Sequence, residues 1–221
     1  MDNNLLYGEY CSNNERRAVS IYSFDGFSQN ELVKIHGVRH VHGVFYDDFD
    51  DLVYITTGDS DEESRIYCLN GGKLTLVHGG SQQARAVQLL FDEKYIYYGT
   101  DTPNAQNNIY KLCKKSYTSY CLGTVHSSIF YGVSLGRDMY FGSVAEPSQL
   151  NCTERVEVYK VSCDKLTLEF SSRKDMYHMK LFQYGQVKFP IYDKRVADNL
   201  YFYCVGTVND GGYSIKKCFK N

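Results

Sequence analysis

The sequence predicts an all-β fold: a β-propeller of about five four-stranded blades, whose last unit lacks a clear fourth strand. Three observations carry that expectation. A short motif recurs at nearly regular spacing. Each copy follows an alternating apolar strand that ends in small residues. Aromatic residues are abundant, with 21 Tyr and 12 Phe, beside 18 Gly and only 3 Pro. Tyr, Phe, Val and Ile suit a pleated, half-buried surface, and Gly-rich, Pro-poor punctuation fits short strands joined by tight turns.

The recurring motif pairs a β-type residue with an aromatic or Lys. Its copies are Ile21-Tyr22-Ser23-Phe24, Ile66-Tyr67-Cys68-Leu69, Ile109-Tyr110-Lys111-Leu112, Val158-Tyr159-Lys160-Val161 and, more weakly, Ile215-Lys216-Lys217-Cys218. The steps from Tyr22 are 45, 43, 49 and 57 residues. Before each copy runs an apolar strand with a small-residue corner, beginning at Leu5, Val53, Ile96, Met139 and Leu200. Earlier still comes an inner strand: His40 to Tyr46, Arg85 to Phe91, Tyr131 to Leu135 and His178 to Tyr184. A closing strand follows each motif: Glu31 to Ile35, Leu74 to His78, Ser119 to Gly123 and Leu166 to Phe170. Four strands, here called a to d, in roughly 40–50 residues make one propeller blade, and a lone blade cannot bury both faces. A single domain over 1–221 is expected, with approximate units 1–37, 38–80, 81–126, 127–173 and 174–221. The first unit begins at its strand b. The segment Gln186 to Asp198 is longer than its counterparts and reads as an extra strand around Val187 to Tyr192 or as a lid.

Charge and composition exclude some functions. With 24 basic and 26 acidic residues the net charge is -2, so nothing marks a nucleic-acid face or a polybasic membrane anchor. The apolar stretches are strand-sized, too short for a spanning helix. Met1 is followed by Asp2-Asn3-Asn4 rather than a basic and apolar leader, which points to the cytoplasm, with export by another route left open. Eight cysteines without a leader are expected as reduced thiols, although Cys113 and Cys121 could meet across one hairpin. No CxxC pair occurs, so no structural zinc, and no cofactor, is expected. Asn151-Cys152-Thr153 matches a glycosylation sequon that matters only to a secreted chain.

Antiparallel pairing of a and b sets the start of a beside the end of b. The starts of a offer Arg39, His40, His42, Arg85, Tyr131 and His178, with Gln82 just ahead of Arg85; the ends of b offer Glu9, Asp59, Asp101 and Glu146. These polar groups are expected to converge on one mouth of the central channel, as a ligand site would require. His40 and His42 project from one strand face. With Asp59 they read as acid and base or metal ligands, or, more plainly, as a packed imidazole bonded to a backbone carbonyl. The ligand-binding candidates are therefore Arg39, His40, His42, Asp59, Gln82, Arg85, Asp101 and Tyr131, with catalytic residues unassigned and no metal. Asp59 and Asp101 equally read as caps of the b–c turn, and Arg39 and Arg85 as struts bonded to them. Glu63 and Arg65 read as an exposed pair, Asp47 to Asp51 as a solvated hairpin tip, and Tyr7, Tyr10 and Tyr131 as faces for a sugar ring. Tyr95 to Tyr98 read as core.

Arg39-His40-Val41-His42-Gly43, Tyr46-Asp47, Thr56-Thr57-Gly58-Asp59 and Ser64-Arg65-Ile66 together resemble bacterial sialidase-superfamily propellers with BNR or Asp-box repeats. Gly80-Ser81-Gln82, Arg85-Ala86-Val87 and Gly99-Thr100-Asp101 extend the likeness, which covers most of Leu5 to Gly142. Ser23-Phe24-Asp25-Gly26 and Asn70-Gly71-Gly72 stand as shortened boxes that keep the c–d turn, in a chain with no Trp. The resemblance implies a carbohydrate-related propeller that binds or acts on a glycan, or another small polar ligand, at one mouth. The alternative is a non-catalytic scaffold that holds a protein partner. No enzymatic activity is assigned.

Overall fold

The computed structural model describes residues 4–146, 148, 150, 154–190, 199–208 and 213–219, the last stretch as backbone only. The chain packs as two compact units, Met1–Val87 with Lys115–Tyr117 and Gln88–Lys114 with Thr118–Asn221. The division falls inside a strand, not at a blade boundary.

The strands are β1 (Leu5–Gly8), β2 (Val19–Phe24), β3 (Gln29–Ile35), β4 (Val41–Asp47), β5 (Leu52–Thr57), β6 (Arg65–Asn70), β7 (Lys73–Gly79), β8 (Ala86–Phe91), β9 (Tyr95–Thr100), β10 (Asn107–Cys113), β11 (Ser119–Val125), β12 (Ile129–Leu135), β13 (Asp138–Ala145), β14 (Arg155–Ser162), β15 (Lys165–Arg173), β16 (Gly185–Lys188), β17 (Asn199–Val205) and β18 (Tyr213–Phe219). One 3-10 turn, Gln82–Ala84, interrupts them, and no α-helix occurs among the described residues. The sheets are antiparallel meanders: β1–β2–β3, β4 to β7, β8 to β11, and β12 to β15, the last joined to β16–β17–β18 through β13. This is the expected blade series, with a first unit that starts at strand b and a last unit of three described strands.

The Ile-Tyr motif has a structural meaning. Register slips between Ile21 and Tyr22, Ile66 and Tyr67, Ile109 and Tyr110, and Val158 and Tyr159 as each strand c pairs with its strand d. An extra residue therefore bulges strand d at the same place in four blades. Such a bulge bends the strand and raises its right-handed twist, and here it marks the four repeats with a described strand d.

Glycines near the end of strand b provide the second recurring device. A Cβ on Gly8 would stand 2.6 Å from the Val41 side chain, and one on Gly99 would stand 2.5 Å from that of Ile129. Both approaches bring strand b of one blade against strand a of the next, closer than any side chain would permit. The first unit packs Val19, Ile21, Val41, Val53 and Ile55 into one core. In the second unit one core gathers Leu90, Tyr97, Ile109, Ile129 and Phe141, and another gathers Val156, Val158, Val187 and Phe202.

Some expectations need correction. The inner strand of the last blade is Gly185–Lys188, not His178 to Tyr184, so the extra strand expected near Val187 is that inner strand itself. It pairs with both β13 and β17. The apolar residues of 178–184 mislead because they are turned to solvent: Leu181 and Phe182 are exposed. Cys121 lies opposite Tyr110, and Cys113 opposite Tyr95, so these two thiols are not across from each other. Cys11, Cys68, Cys113, Cys121, Cys163 and Cys204 take part in no disulfide. Residues 191–198 of the long segment and the sequon lie outside the described residues, and no described helix is long and apolar enough to cross a membrane.

Candidate functional site

In the first unit the predicted residues gather around Asp59, which follows β5. The start of β4 supplies the opposite wall. Pairing slips between Val41 and Gly43, which makes His42 the extra residue of a bulge and turns its ring toward His40. Their Nε2 atoms stand 3.1 Å apart. Asp59 Oδ2 lies 3.9 Å from His40 Nε2, and Oδ1 lies 3.8 Å from His42 Nε2. Both imidazoles are buried, with side chains 6% and 5% exposed. Gly58 makes room for this: a Cβ there would stand 2.4 Å from His42 Cε1.

Two guanidinium groups flank the carboxylate. Arg39 Nη1 donates to Asp59 Oδ2 at 3.1 Å, and Arg85 Nη2 lies 3.4 Å from Oδ1. Gln82 Nε2 donates to the Asp59 carbonyl at 3.0 Å, and Arg85 Nη1 reaches the same oxygen at 3.4 Å. The adjacent His42 ring, with the charges of His40, Arg85 and His42, holds the Asp59 carboxyl well below the usual carboxylate range, against the opposing pull of burial. Burial and the neighbouring His42 lower His40 below an ordinary imidazole, with Arg39 adding to the effect. Asp59 and the Cys11 carbonyl act in the other direction on His40. Tyr10 packs on His40 with ring centroids 4.2 Å apart.

Six of the eight predicted residues, Arg39, His40, His42, Asp59, Gln82 and Arg85, thus form one polar cluster. Asp101 and Tyr131 belong to the second unit. Asp101 is buried after β9, and Asn107 bonds the turn beside it. Asn107 Oδ1 accepts from the Thr100 hydroxyl and the Thr102 N–H at 2.8 and 3.0 Å. Tyr131 donates to Gln186 Oε1 at 3.3 Å, with Lys188 Nζ 5.6 Å from its ring centre. Asp59, for its part, spends its carboxylate on side chains rather than on the backbone of its turn.

Sequence reasoning missed several groups. Glu63 is buried, not an exposed partner of Arg65. It accepts from Arg16 Nε at 2.6 Å and from the Arg39 N–H at 2.9 Å, while Arg65 donates to the Tyr67 hydroxyl at 2.9 Å. Nothing in the spacing links positions 16 and 63. In the second unit the buried Glu157 meets His126 Nδ1 at 3.0 Å and accepts from the Tyr159 hydroxyl and the Ser171 hydroxyl. The alternation of Glu157 and Tyr159 on one strand face was a legible hint. The charged tip after β4 is a turn, but Asp47, expected as part of a solvated tip, is buried at the end of β4, its Oδ1 accepting from the Phe49 N–H at 3.1 Å.

A cavity lies elsewhere and includes none of the eight. It occupies about 610 Å³ in the second unit, between the end of β15 and the segment leading to β16. Lys174, 7% exposed, forms its floor, paired with Asp175 and donating to the Tyr177 carbonyl at 3.1 Å. Glu154 and Arg173, 3.2 Å apart, stand at its side.

No family model matches the chain, and no curated protein matches its sequence. Solved structures do. A chain of the nidogen–laminin complex aligns with TM-score 0.55 and 10% identity over 85% of this chain and 68% of that one. TolB from Acinetobacter baumannii aligns with TM-score 0.53 and 10% identity over 99% of this chain and 52% of its own. A prolyl endopeptidase aligns with TM-score 0.52 and 10% identity over 98% and 33% respectively. The fold is a β-propeller. The chain spans about half the length of the TolB chain and a third of the endopeptidase chain. At such identities the likeness concerns fold, which hosts many unrelated functions.

Proposed function

We propose that the chain is a non-catalytic β-propeller that holds a protein partner, with the rim of the cavity in its second unit as the docking surface. The observation that carries this reading is the segment from Met176 to Tyr184. Met176, Leu181 and Phe182 are 92%, 80% and 64% exposed, and Tyr177 and Phe182 pack with ring centroids 5.0 Å apart. Interface cores are enriched in Met and aromatic residues, and apolar side chains clustered beside a polar-floored cavity suit a partner that inserts an apolar anchor. A chain of similar fold comes from a structure of a nidogen–laminin complex. The glycan reading of the Arg39–Arg85 mouth, and with it a sialidase-type role, draws less support. Asp59 already engages both guanidinium groups, where a sugar carboxylate would have to bind. The shortened Asp box at Asp25 speaks for the repeat and not for the chemistry.

The test is site-specific photo-crosslinking in the native host. A crosslinker at Phe182 should trap one defined protein, and one at Phe27, also exposed but on a first-unit hairpin, should not. Changing Met176, Leu181 and Phe182 to Ser should abolish the product with circular dichroism unchanged. Equal products from both sites would sink the reading. A glycan-array signal lost on Arg39→Ala would restore the sugar reading instead.

A further inference from the structure

Two imidazoles and one carboxylate converge in the first unit from two separate stretches of backbone, and their ligand atoms all lie within 4.8 Å of one another. The separations are 3.1 Å between the two Nε2 atoms and 3.8 and 3.9 Å from these to the Asp59 oxygens. Ligands held at about 2.0–2.1 Å around a tetrahedral zinc ion stand roughly 3.4 Å apart. Each separation here is within about half an ångström of that spacing, a shift that side-chain rotation supplies. We propose that His40 Nε2, His42 Nε2 and the Asp59 carboxylate bind a divalent first-row transition ion, zinc being the type case.

Several independent features favour a built site over a chance meeting. Both rings are more than nine-tenths buried and turn the same nitrogen toward one point. His42 Nδ1 is buried and has no hydrogen-bond partner among the described residues, so the cluster is the polar company its ring keeps there. His40 is packed by Tyr10, with ring centroids 4.2 Å apart, an outer support that fixes the orientation of the ring. The bulge at His42 and the absence of a side chain at Gly58 bring the second ring into place. A mixed imidazole and carboxylate set suits zinc and its neighbours rather than calcium or magnesium. The flanking arginines do not block it. An ionised carboxylate offers about four acceptor positions, and Arg39 and Arg85 each approach one of its two oxygens. Their charge lowers affinity for a dication, and it also favours an anionic group at the ion's open position.

The proposal does not depend on partner docking. Its test uses the full, tag-free chain stripped with chelator, with Cys11, Cys121 and Cys163, the exposed thiols among the described residues, changed to Ser. Calorimetry with zinc chloride should show one ion per chain. His40→Gln and His42→Gln should each weaken binding at least about tenfold, while His78→Gln, away from the cluster, should leave it unchanged. Cobalt titrated into the parent protein should give visible ligand-field bands without thiolate charge transfer, a readout that needs no variant to fold. No stoichiometric uptake, uptake indifferent to both His substitutions, or a thiolate spectrum would each overturn the assignment.

Discussion

At the scale of single residues, small features decide how the first unit works. Asp25 is fully exposed, yet its Oδ1 accepts from the backbone N–H groups of Phe27 and Ser28 at 2.8 and 2.7 Å. These two bonds, the Ser28 one foremost, hold its carboxyl below the ordinary value of 3.8. A folded-state value below the unfolded one adds stability above the unfolded pKa and loses it as pH falls through the folded one. Asp25→Asn should therefore be less stable than the parent at neutral pH, with the gap closing below about pH 4; urea titrations at several pH values read this, and a constant gap would contradict it. Gly58 gives a steric counterpart. Gly58→Ala drives a methyl into the His42 ring, and overpacking of this kind costs roughly 1–3 kcal/mol, measurable as a lower denaturation midpoint. The cluster around Asp59 was legible because an antiparallel a–b pair forces its ends together. The bulge at His42 and the Arg16–Glu63 bond were not, since neither register slips nor contacts between remote loops leave a periodic trace.

At the scale of elements, the repeat rests on two devices: the strand-d bulge beside each Ile-Tyr pair and the glycine near the end of strand b. Gly8, Gly99 and Gly142 occupy comparable places, and a Cβ on Gly142 would come 3.0 Å from the Val187 carbonyl oxygen. Alanine at Gly8 or Gly99 should cost about 1–3 kcal/mol. Gly142→Ala, the least crowded of the three, should cost the least. An opposite ranking in thermal denaturation would mean that blade spacing is set elsewhere. Tyr97 belongs to the second unit's core and donates to Asp92 Oδ2 at 2.8 Å, so Tyr97→Ala should lose roughly 3–5 kcal/mol. The blade series was readable because alternation and spacing record which residues face inward. The last inner strand was misplaced because 178–184 carries comparable apolar residues on a segment that no sheet takes up. Sequence alternation reports a capacity for pairing, and the neighbour that accepts the strand, β13, lies some forty residues earlier in the chain.

At the scale of the whole molecule, the sequence reads as one repeat array whereas the packing falls into two compact units. Repeat arrays derive stability from each unit and its neighbours, and cooperative subunits of structure open with their own free energies. Separate cores therefore predict a local response to core damage. Ile55 is fully buried in the first unit's core and Phe141 in one of the second's. Truncating either to Ala should remove roughly 2–5 kcal/mol. The chain has no Trp to report on one region, so hydrogen-exchange mass spectrometry is the suitable readout. Ile55→Ala should speed exchange in β2 and β4 to β6 and leave β13 to β15 near the parent rate. Phe141→Ala should do the reverse. If either substitution accelerates every strand alike, opening is global, the two units share one cooperative transition, and the division seen in the packing has no energetic counterpart.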